Sequence, residues 1–528
     1  MKVLITDKIN EVAGKFFDGV AEVDFLPTMA EDELAEKIKE YDALMIRSQT
    51  KVTQKIIENA SNLKIIGRAG VGVDNIDVDA ATEKGIIVVN SPEGNTTAAA
   101  EHTIALMMAM ARHIPVANES TKQGKWERSK FTGIELFQKT LGIIGLGKIG
   151  ARVAKVAVSL GMKVLVYDPY TSKEAIEAIG CKQATHLDDF WGLLDFVTVH
   201  VPKTRETAYL INKNTINRMK KGVRIINCSR GGIIDEAALK EAIEEGHVAG
   251  AAIDVFDGEP ISPENPLIGC NGNVILTPHL GASTEEAQIN VAVDVAEQIA
   301  EVLQGGSAKS AVNIPSLKQE KLEPVKNYMQ LAENLGQFIR QYTKGSAQKL
   351  EITVKGNLSE LDISPLKIAI LKGFLSISFE GVNYVNAPII AKSRGITITD
   401  VKSDEGCSYS GLLSLKLSTE QETNIVSGAL ITDEMPRIVR INEYSTSIEP
   451  AQNILIVPHE NKPNMIAQVA AILGSKSVNI SMMQVSDSKT LNESIMIINI
   501  DQPIDDVTNG KIKQIDGVRD SKYISLTR

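Results

Sequence analysis

The chain has 528 residues, of which 43% are hydrophobic and 23% charged, a composition typical of a globular protein with roughly three or four domains. A net charge of −10 without a basic block argues against general nucleic-acid binding, and charges interrupt every long apolar stretch, which argues against a membrane span. Because the four cysteines are scattered without a CxxC pair and the first residues do not form a signal peptide, we expect a cytoplasmic location and neither disulfides nor a metal site.

Up to about residue 300, short apolar segments alternate with amphipathic ones, which is typical of α/β folds with mostly parallel sheets. The strand-like segments are too many for one open sheet, so we expect two α/β units. A long helix of small residues over 96–113 separates the two sets of strands, and a second helix covers 285–305. The chain would cross between the units along the first helix and return along the second.

Two arginines of the first unit lie close to predicted strands. Arg47 follows the segment ALMI, and Arg68 precedes the glycine-rich turn AGVGVDNID. Backbone N–H groups of this turn, around Gly70, Val71 and Gly72, could bind a carboxylate or phosphate beside Arg68. A tight turn without a ligand explains the glycines equally well. The sequence shows no obvious acidic partner for either arginine.

The most informative stretch is TLGIIGLGKIGARVAKVAVSLGMKVLVYD, in which Gly145, Gly147 and Gly150 form GxGxxG between a strand and an amphipathic helix. A lone GxGxxG is weak, but here Asp168 ends the next strand about 20 residues later, as in dinucleotide-binding folds. The helix N-terminus would bind a pyrophosphate. Asp168 would accept hydrogen bonds from ribose hydroxyls and repel a 2′-phosphate, which favours NAD over NADP.

Three later strands each end in polar residues. Arg230 follows VRIINC, Asp254 and Glu259 follow GAAI, and His279 follows VILTP. Ligands of open parallel sheets bind beyond the carboxyl ends of the strands, so these side chains should face the dinucleotide. His279 could carry a proton, Glu259 could orient it, and Arg230 could bind a substrate carboxylate. Singly, each residue also fits a structural role at a strand end.

The last third of the chain follows a small, polar boundary segment, GGSAKSAVNIPS at 305–316. Residues 317–450 mix helical and strand-like segments without a catalytic motif. From residue 453 the order is strand, helix, two strands, helix, strand, which is the βαββαβ order of the ferredoxin-like fold.

The segments LGIIGLGKIG, NCSRGGIIDE, DVFDGEP and TPHLGAST closely resemble the NAD-dependent D-2-hydroxyacid dehydrogenases, and the C-terminal extension resembles the long phosphoglycerate dehydrogenase form of that family. The resemblance implies a flavodoxin-like substrate domain (1–95 and 285–312) into which a Rossmann-like NAD domain (96–284) is inserted. An α+β intervening domain of the allosteric substrate-binding type (317–450) and an ACT regulatory domain (453–528) would follow. It further implies a homo-oligomer, dimer or tetramer, that oxidises 3-phosphoglycerate to 3-phosphohydroxypyruvate on the way to L-serine.

The resemblance also assigns roles to individual residues. The catalytic set is Arg230, Glu259 and His279. The NAD contacts fall on Gly145, Gly147, Lys148, Ile149, Gly150, Asp168, Cys228, Ser229, Arg230, Asp254, His279, Leu280, Gly281 and Ala282. The substrate contacts fall on Arg47, Arg68, Gly70, Val71, Gly72 and Lys130, the last supplied across a dimer. The ACT domains would pair between subunits, and bound L-serine would bridge the pair through His459, Asn461 and Asn479.

Two other functions share much of this pattern. Glyoxylate or hydroxypyruvate reductases have the same catalytic core but usually lack the C-terminal third. Corepressors that sense NAD without catalysis share the core and the catalytic set but lack the terminal βαββαβ module. One departure concerns the ACT module, because Asn464 stands where relatives usually have glycine.

Overall fold

Four β-sheets organise the chain in the computed structural model, which describes residues 1–314, 319–403, 408–432, 434–488 and 493–526. The first sheet has five parallel strands in the order β2-β1-β3-β4-β5, which is the flavodoxin-like order. Its strands are β1 (Lys2–Ile5), β2 (Glu22–Phe25), β3 (Ala43–Ile46), β4 (Ile65–Arg68) and β5 (Ile87–Asn90). The helices of this unit are α1 (Glu31–Lys37), α2 (Gln54–Asn59) and α3 (Val78–Glu83).

The second sheet has seven parallel strands in the order β12-β11-β10-β9-β6-β7-β8. The helix α4 (Thr96–Ala111) leads into it from the first unit. The strands are β6 (Thr140–Ile144), β7 (Lys163–Tyr167), β8 (Lys182–Gln183), β9 (Phe196–Val199), β10 (Val223–Asn227), β11 (Val248–Ile253) and β12 (Val274–Leu276). The helices are α5 (Ile114–Lys122), α6 (Lys148–Ser159), α7 (Lys173–Ala178), α8 (Leu187–Phe190), α9 (Lys213–Arg218) and α10 (Glu236–Glu244).

The helix α11 (Glu285–Leu303) returns the chain to the first sheet. It begins at Thr284, whose hydroxyl oxygen accepts a hydrogen bond from the backbone N–H of Ala287 at 3.1 Å. Its buried face includes Val295 and Ile299, which pack over Gly67 of β4. After it, residue 311 forms an antiparallel bridge with residue 89 at the end of the first sheet.

Two further sheets follow. The third has six strands, in the order β14-β13-β15-β16-β17-β18, and the fourth has four antiparallel strands, in the order β20-β21-β19-β22. The strands of the third sheet are β13 (Ala347–Gly356), β14 (Thr397–Ser403), β15 (Gly411–Thr419), β16 (Thr423–Leu430), β17 (Pro436–Ile441) and β18 (Tyr444–Ile448). The helices of this unit are α12 (Gln319–Leu322), α13 (Lys326–Tyr342), α14 (Ser364–Ser376) and α15 (Ala387–Ser393). The fourth sheet contains β19 (Asn453–Glu460), α16 (Met465–Ser475), β20 (Ile480–Asp487), β21 (Glu493–Ile500), α17 (Asp506–Lys513) and β22 (Lys522–Ser525).

The predicted fold class is confirmed, including the parallel sheets of the first two units and the βαββαβ order of the last. The sequence did not predict β2 or the four strands β15 to β18. β2 leaves its side chains partly exposed, and β16 contains the pair Ser427–Gly428, so neither has a plain strand pattern. In the part of the chain that the structure describes, no helix has the length and apolarity needed to cross a bilayer.

The close contact between β4 and α11 generates a stability prediction. A Cβ at Gly67 would lie 2.4 Å from Val295 Cγ1 and 2.7 Å from Ile299 Cδ1. We expect Gly67→Ala to force α11 away from the sheet and to destabilise the first unit by ~1–3 kcal/mol, the cost of overpacking a core. Thermal unfolding followed by calorimetry should show a lower first transition.

The control for this experiment is Gly474→Ala, because a Cβ at Gly474 in α16 meets no atom within 4 Å. Alanine has the higher helix propensity, so this variant should unfold at the wild-type temperature or above. An unchanged transition in Gly67→Ala would contradict the packing of α11 on β4.

Candidate active site

His279 and Glu259 form a hydrogen-bonded pair beyond the ends of β12 and β11. His279 Nδ1 lies 2.7 Å from Glu259 Oε2, and Glu259 Oε1 accepts the backbone N–H of Phe256 at 3.1 Å. Burial raises the pKa of Glu259, but the hydrogen bond and charge of His279, together with the Phe256 N–H, lower it overall. Glu259 is therefore ionised at neutral pH, so Nδ1 carries a proton toward it. His279 Nε2 is then the ring nitrogen that can exchange a proton with a ligand.

The carboxylate of Asp254 fixes the turn that carries His279. Asp254 is fully buried, and its oxygens accept the backbone N–H groups of Leu280 at 2.7 Å and Gly281 at 2.9 Å, as well as the Thr277 hydroxyl at 2.5 Å. The backbone N–H of His279 also donates to the Asp254 carbonyl at 2.9 Å. These contacts hold His279 in a left-handed conformation, with φ of 55°. The turn is rigid because one buried acid organises it.

The crossing helix α4 adds a residue to this group that the sequence did not predict there. His102 Nε2 lies 3.2 Å from Asp254 Oδ1, 152 residues away in the chain. Only the packing of α4 against the second sheet brings His102 to the end of β11. Burial raises the pKa of Asp254, but the hydrogen bonds from His102, Thr277 and Leu280 lower it overall.

His102, Cys228 and Asp254 also place potential metal ligands within 4.8 Å of one another. Burial raises the pKa of Cys228 to about 12, so its thiol is protonated at neutral pH, whereas metal binding requires the thiolate. Asp254 is already satisfied by hydrogen bonds. These contacts describe a hydrogen-bonded cluster, and we assign no metal to it.

Three arginines converge from both α/β units. Arg230 follows β10, whereas Arg47 and Arg68 belong to the first unit, and a Cβ at Gly72 would lie 2.4 Å from Arg230 Nη2. Burial lowers the pKa of Arg68 to about 10, and the positive charges of Arg230 and Arg47 contribute to the shift. Such repulsion between cations is strongest when no anion lies between them. The cluster therefore has the electrostatic character of an anion site.

The expectation that Arg47 and Arg68 lack acidic neighbours is wrong. Asp7 Oδ2 accepts the backbone N–H of Arg47 at 2.8 Å, and its charge acts on both arginines. Asp74 Oδ2 lies 3.3 Å from Arg230 Nε and raises the pKa of Arg68 against the other effects. Asp7 is 40 residues from Arg47 in the chain, so only the meeting of β1 with β3 reveals this contact.

The glycine loop has the shape that a dinucleotide needs. Gly145 has φ of 90°, and a Cβ at Gly150 would lie 2.2 Å from the Gly145 carbonyl oxygen, so neither position accommodates a side chain. A Cβ at Gly147 would meet nothing within 4 Å, which leaves open space above the start of α6. The first backbone N–H groups of α6, at Lys148 and Ile149, lie at that end of the helix.

Asp168 lies directly after β7, as the motif requires. Its carboxylate accepts the backbone N–H groups of Leu146 at 2.6 Å, Tyr170 at 2.8 Å and Thr171 at 3.0 Å. In this structure the carboxylate thus ties the glycine loop to the turn after β7. Hydrogen bonds to a ribose would share the same two oxygens.

The remaining predicted contacts fall into two groups. Cys228, Ser229 and Ala282 lie in the turns that follow β10 and β12, next to Arg230 and His279. Lys130, in contrast, lies on an exposed turn of the NAD unit, where its ammonium group pairs with Glu127 at 2.6 Å. The contacts of this single chain do not bring Lys130 into the arginine cluster.

Of the predicted effector residues, His459 and Asn461 lie at the end of β19, whereas Asn479 precedes β20 at the opposite end of the last sheet. His459 is buried, its Nδ1 donates to the Glu460 carbonyl at 2.8 Å, and its Nε2 is buried without a partner. Asn461 and Asn479 are exposed. Asn464 adopts the left-handed conformation, with φ of 72°, at the position where relatives usually have glycine.

Comparison with protein families agrees with this architecture. Residues 104–281 match the family "D-isomer specific 2-hydroxyacid dehydrogenase, NAD binding domain", and residues 324–442 match "D-3-phosphoglycerate dehydrogenase intervening domain". Among solved structures, a glyoxylate reductase from Paecilomyes thermophila is 29% identical with a TM-score of 0.55, covering 60% of this chain and 99% of its own. A D-lactate dehydrogenase from Aquifex aeolicus, complexed with NAD and lactic acid, is 28% identical with a TM-score of 0.51, covering 57% of this chain and 96% of its own.

Curated relatives extend the match to the whole chain. The D-3-phosphoglycerate dehydrogenase of Synechocystis is 50% identical, covering 99% of this chain and 95% of its own length. That of Bacillus subtilis is 41% identical, covering 99% of both chains. The NAD unit, the intervening unit and the full-length similarity agree, and the chain belongs to the D-3-phosphoglycerate dehydrogenase family within the D-isomer-specific 2-hydroxyacid dehydrogenases.

Proposed function

We propose that this enzyme oxidises the C2 hydroxyl of 3-phosphoglycerate with NAD, giving 3-phosphohydroxypyruvate in the first step toward L-serine. The observation that carries the proposal is the His279–Glu259 pair beyond β12 and β11, together with an arginine cluster that includes Arg230 beyond the neighbouring strand β10. The pair supplies a proton acceptor, and the cluster supplies positive charge for a substrate with a carboxylate at one end and a phosphate at the other.

The proton of the substrate hydroxyl passes to His279 Nε2. Glu259 remains ionised, accepts the Nδ1 proton at 2.7 Å and stabilises the imidazolium that forms. Asp254 holds the turn so that the ring keeps its orientation. In the reverse direction the same imidazolium returns the proton to the carbonyl oxygen.

Arg230 and the backbone of the turn Gly70–Gly72 bind the carboxylate and the developing carbonyl oxygen. Nη1 of Arg230 donates to the Ser229 carbonyl at 2.7 Å, which restrains the guanidinium plane, while Nη2 points toward Gly72. Arg68 and Arg47 bind the phosphate. Burial and, to a lesser extent, the charges of Arg230 and Arg47 lower the pKa of Arg68, and a phosphate dianion between the arginines offsets this repulsion.

The residues present fit NAD. The open space above Gly147, the free N–H groups at the start of α6 and the carboxylate of Asp168 form a cradle for a pyrophosphate and a ribose. Asp168 disfavours a 2′-phosphate by like-charge repulsion. Bound NAD supplies the acceptor for the hydride that leaves C2.

We also propose the division into a substrate domain (1–95 and 285–312), an NAD domain (96–284), an intervening domain (317–450) and an ACT domain (453–528). The chain works in the cytoplasm as a homo-oligomer, in which Lys130 reaches the substrate phosphate of a neighbouring subunit. Its exposed position supports this role, because its pair with Glu127 lies at the surface, where a phosphate can compete for the ammonium group.

L-Serine is proposed as an inhibitory effector of the last domain. Because His459 Nδ1 donates to the Glu460 carbonyl, its buried Nε2 is an acceptor that lacks a donor. The ammonium group of an amino acid supplies such a donor. Asn461 and Asn479 are both exposed and lie at opposite ends of the sheet, which supports serine bridging the paired ACT domains of two subunits. Inhibition requires that serine binds the less active state more tightly.

The catalytic pair generates the first functional prediction. His279→Ala should lower kcat by about 100-fold or more, a typical share of general acid–base catalysis, with little change in NAD affinity. In Glu259→Gln, the neutral amide cannot stabilise the imidazolium that forms during oxidation, so kcat in the oxidation direction should fall as well. Near-normal kcat in either variant would refute the assigned roles.

The arginine cluster generates the second. Arg47→Ala should raise KM for 3-phosphoglycerate by about 10-fold or more, since a hydrogen bond to a charged group contributes ~1.5–3 kcal/mol. KM for an unphosphorylated 2-hydroxyacid should change far less. Lys37→Ala, which removes an exposed cation of α1, is the matched control and should affect neither substrate. Equal losses for both substrates in Arg47→Ala would argue against phosphate recognition.

The effector site generates the third. Calorimetric titration of the full-length enzyme with L-serine should show saturable binding together with inhibition, and Asn461→Ala should weaken both. Asn214→Ala, at an exposed position of α9, serves as the control outside the proposed site. Absence of saturable binding to the wild type at millimolar serine, which corresponds to a binding free energy of only ~4 kcal/mol, would refute the site. Binding of serine without inhibition would keep the site and remove its regulatory role.

A further inference from the structure

Two ion pairs cross the cleft between the substrate-binding and NAD-binding units. In the first, Asp74 Oδ2 lies 3.3 Å from Arg230 Nε, and Asp74 belongs to the turn after β4 whereas Arg230 follows β10. In the second, Glu93 from the segment after β5 pairs with the ammonium group of Lys148 at the start of α6. In both pairs the first unit supplies the carboxylate and the NAD unit supplies the cation.

In the proposed function, the cation of each pair lies where an anionic group of a ligand binds. Arg230 is to bind the substrate carboxylate, and Lys148 stands where the pyrophosphate approaches the glycine loop. The carboxylates are the more exposed partners, with side-chain exposures of 75% for Asp74 and 73% for Glu93. They can therefore leave the cations for water without a large desolvation cost.

Asp74 offsets positive charge in the arginine cluster. Asp74 opposes the mutual repulsion of Arg230 and Arg68, so the cluster keeps its geometry before an anion arrives. Gly72 allows this approach, because its missing Cβ would lie 2.4 Å from Arg230 Nη2 and 2.5 Å from Asp74 Oδ2. A substrate carboxylate entering between Gly72 and Arg230 would meet the Asp74 carboxylate there, and like charges would drive Asp74 away.

We propose that Asp74 and Glu93 are internal competitors for the two ligand-binding cations, Asp74 for the substrate carboxylate and Glu93 for the cofactor pyrophosphate. Each holds its cation across the cleft in the empty enzyme and returns to it when the anion leaves. The two acids thus set ligand affinity below the value that the cations alone would give. The inference rests on the proposed function for the identity of the substrate, whereas the Glu93 arm needs only NADH binding.

The first experiment titrates NADH into wild type, Glu93→Gln and Asp79→Asn at low ionic strength, with NADH fluorescence as the signal. Asp79 is an exposed acid on α3 and controls for the loss of one negative charge. Removing the competitor should lower the Kd of NADH in Glu93→Gln by about 1.5- to 5-fold, the range for an exposed ion pair. Asp79→Asn should match wild type, and about 0.5 M salt should remove most of the difference.

The second experiment measures the Kd of 3-phosphoglycerate by calorimetry in the presence of NADH, together with KM. Asp74→Asn should lower both by about 1.5- to 5-fold, whereas Glu93→Gln should change the Kd of 3-phosphoglycerate much less. The two variants are therefore reciprocal controls. Thermal unfolding of each variant verifies that the exposed substitution leaves the fold intact.

Several results would overturn the inference. Weaker binding in either variant would mean that the carboxylate positions its cation, and binding equal to that of Asp79→Asn would mean that the pair does not form in solution. If wild type neither binds nor oxidises 3-phosphoglycerate but still binds NADH, the proposed function fails while the Glu93 result still decides the competition. Failure of wild type to bind NADH would overturn both.

Discussion

All strands of the first two sheets run parallel, and this constraint decides where chemistry can occur. Parallel strands need crossover helices, which cover both faces of the sheet and leave the strand ends open. Arg68 ends β4, while Arg230, Asp254 and His279 follow β10, β11 and β12. The helices α4 and α11 connect the two sheets, so the carboxyl ends of both meet at one cleft. The fold therefore gathers residues that lie more than 200 positions apart, such as Arg68 and His279.

Within that cleft, a single buried carboxylate gives the site its rigidity. Asp254 has no exposed surface and takes hydrogen bonds from the backbone of the His279 turn, from Thr277 and from His102. A buried charge is tolerated when donors surround it, and here the donors belong to the segment after β12 and to α4. The desolvation cost of the Asp254 carboxylate is thus offset by contacts that also hold the backbone of His279 in an unfavourable left-handed conformation.

The substrate side of the cleft differs from the Asp254 side: several positive charges lie close together there, whereas Asp254 is a single charge surrounded by hydrogen-bond donors. Burial lowers the pKa of Arg68, the neighbouring Arg230 and Arg47 lower it further, and Asp7 and Asp74 offset part of that repulsion. An arrangement of this kind stores unfavourable energy that an anionic ligand releases. Without a bound anion, the two acids stabilise the arginine cluster. The same few side chains therefore affect both the stability of the cluster and its affinity for a ligand.

The sequence by itself determined the fold class, the dinucleotide loop and the candidate catalytic residues, because these depend on local order. A glycine spacing, a strand period and a polar residue after a strand are all short-range features, and the predicted pairing of His279 with Glu259 appears at 2.7 Å. Only the tertiary structure revealed His102 beside Asp254, Asp7 beside Arg47, and the cross-cleft partners of Arg230 and Lys148. Each of these contacts joins elements that are distant in the chain, and their proximity depends on sheet register and helix packing. No local sequence pattern encodes such proximity, because the residues around an acid in the sequence do not show whether the fold will bring it next to a distant cation.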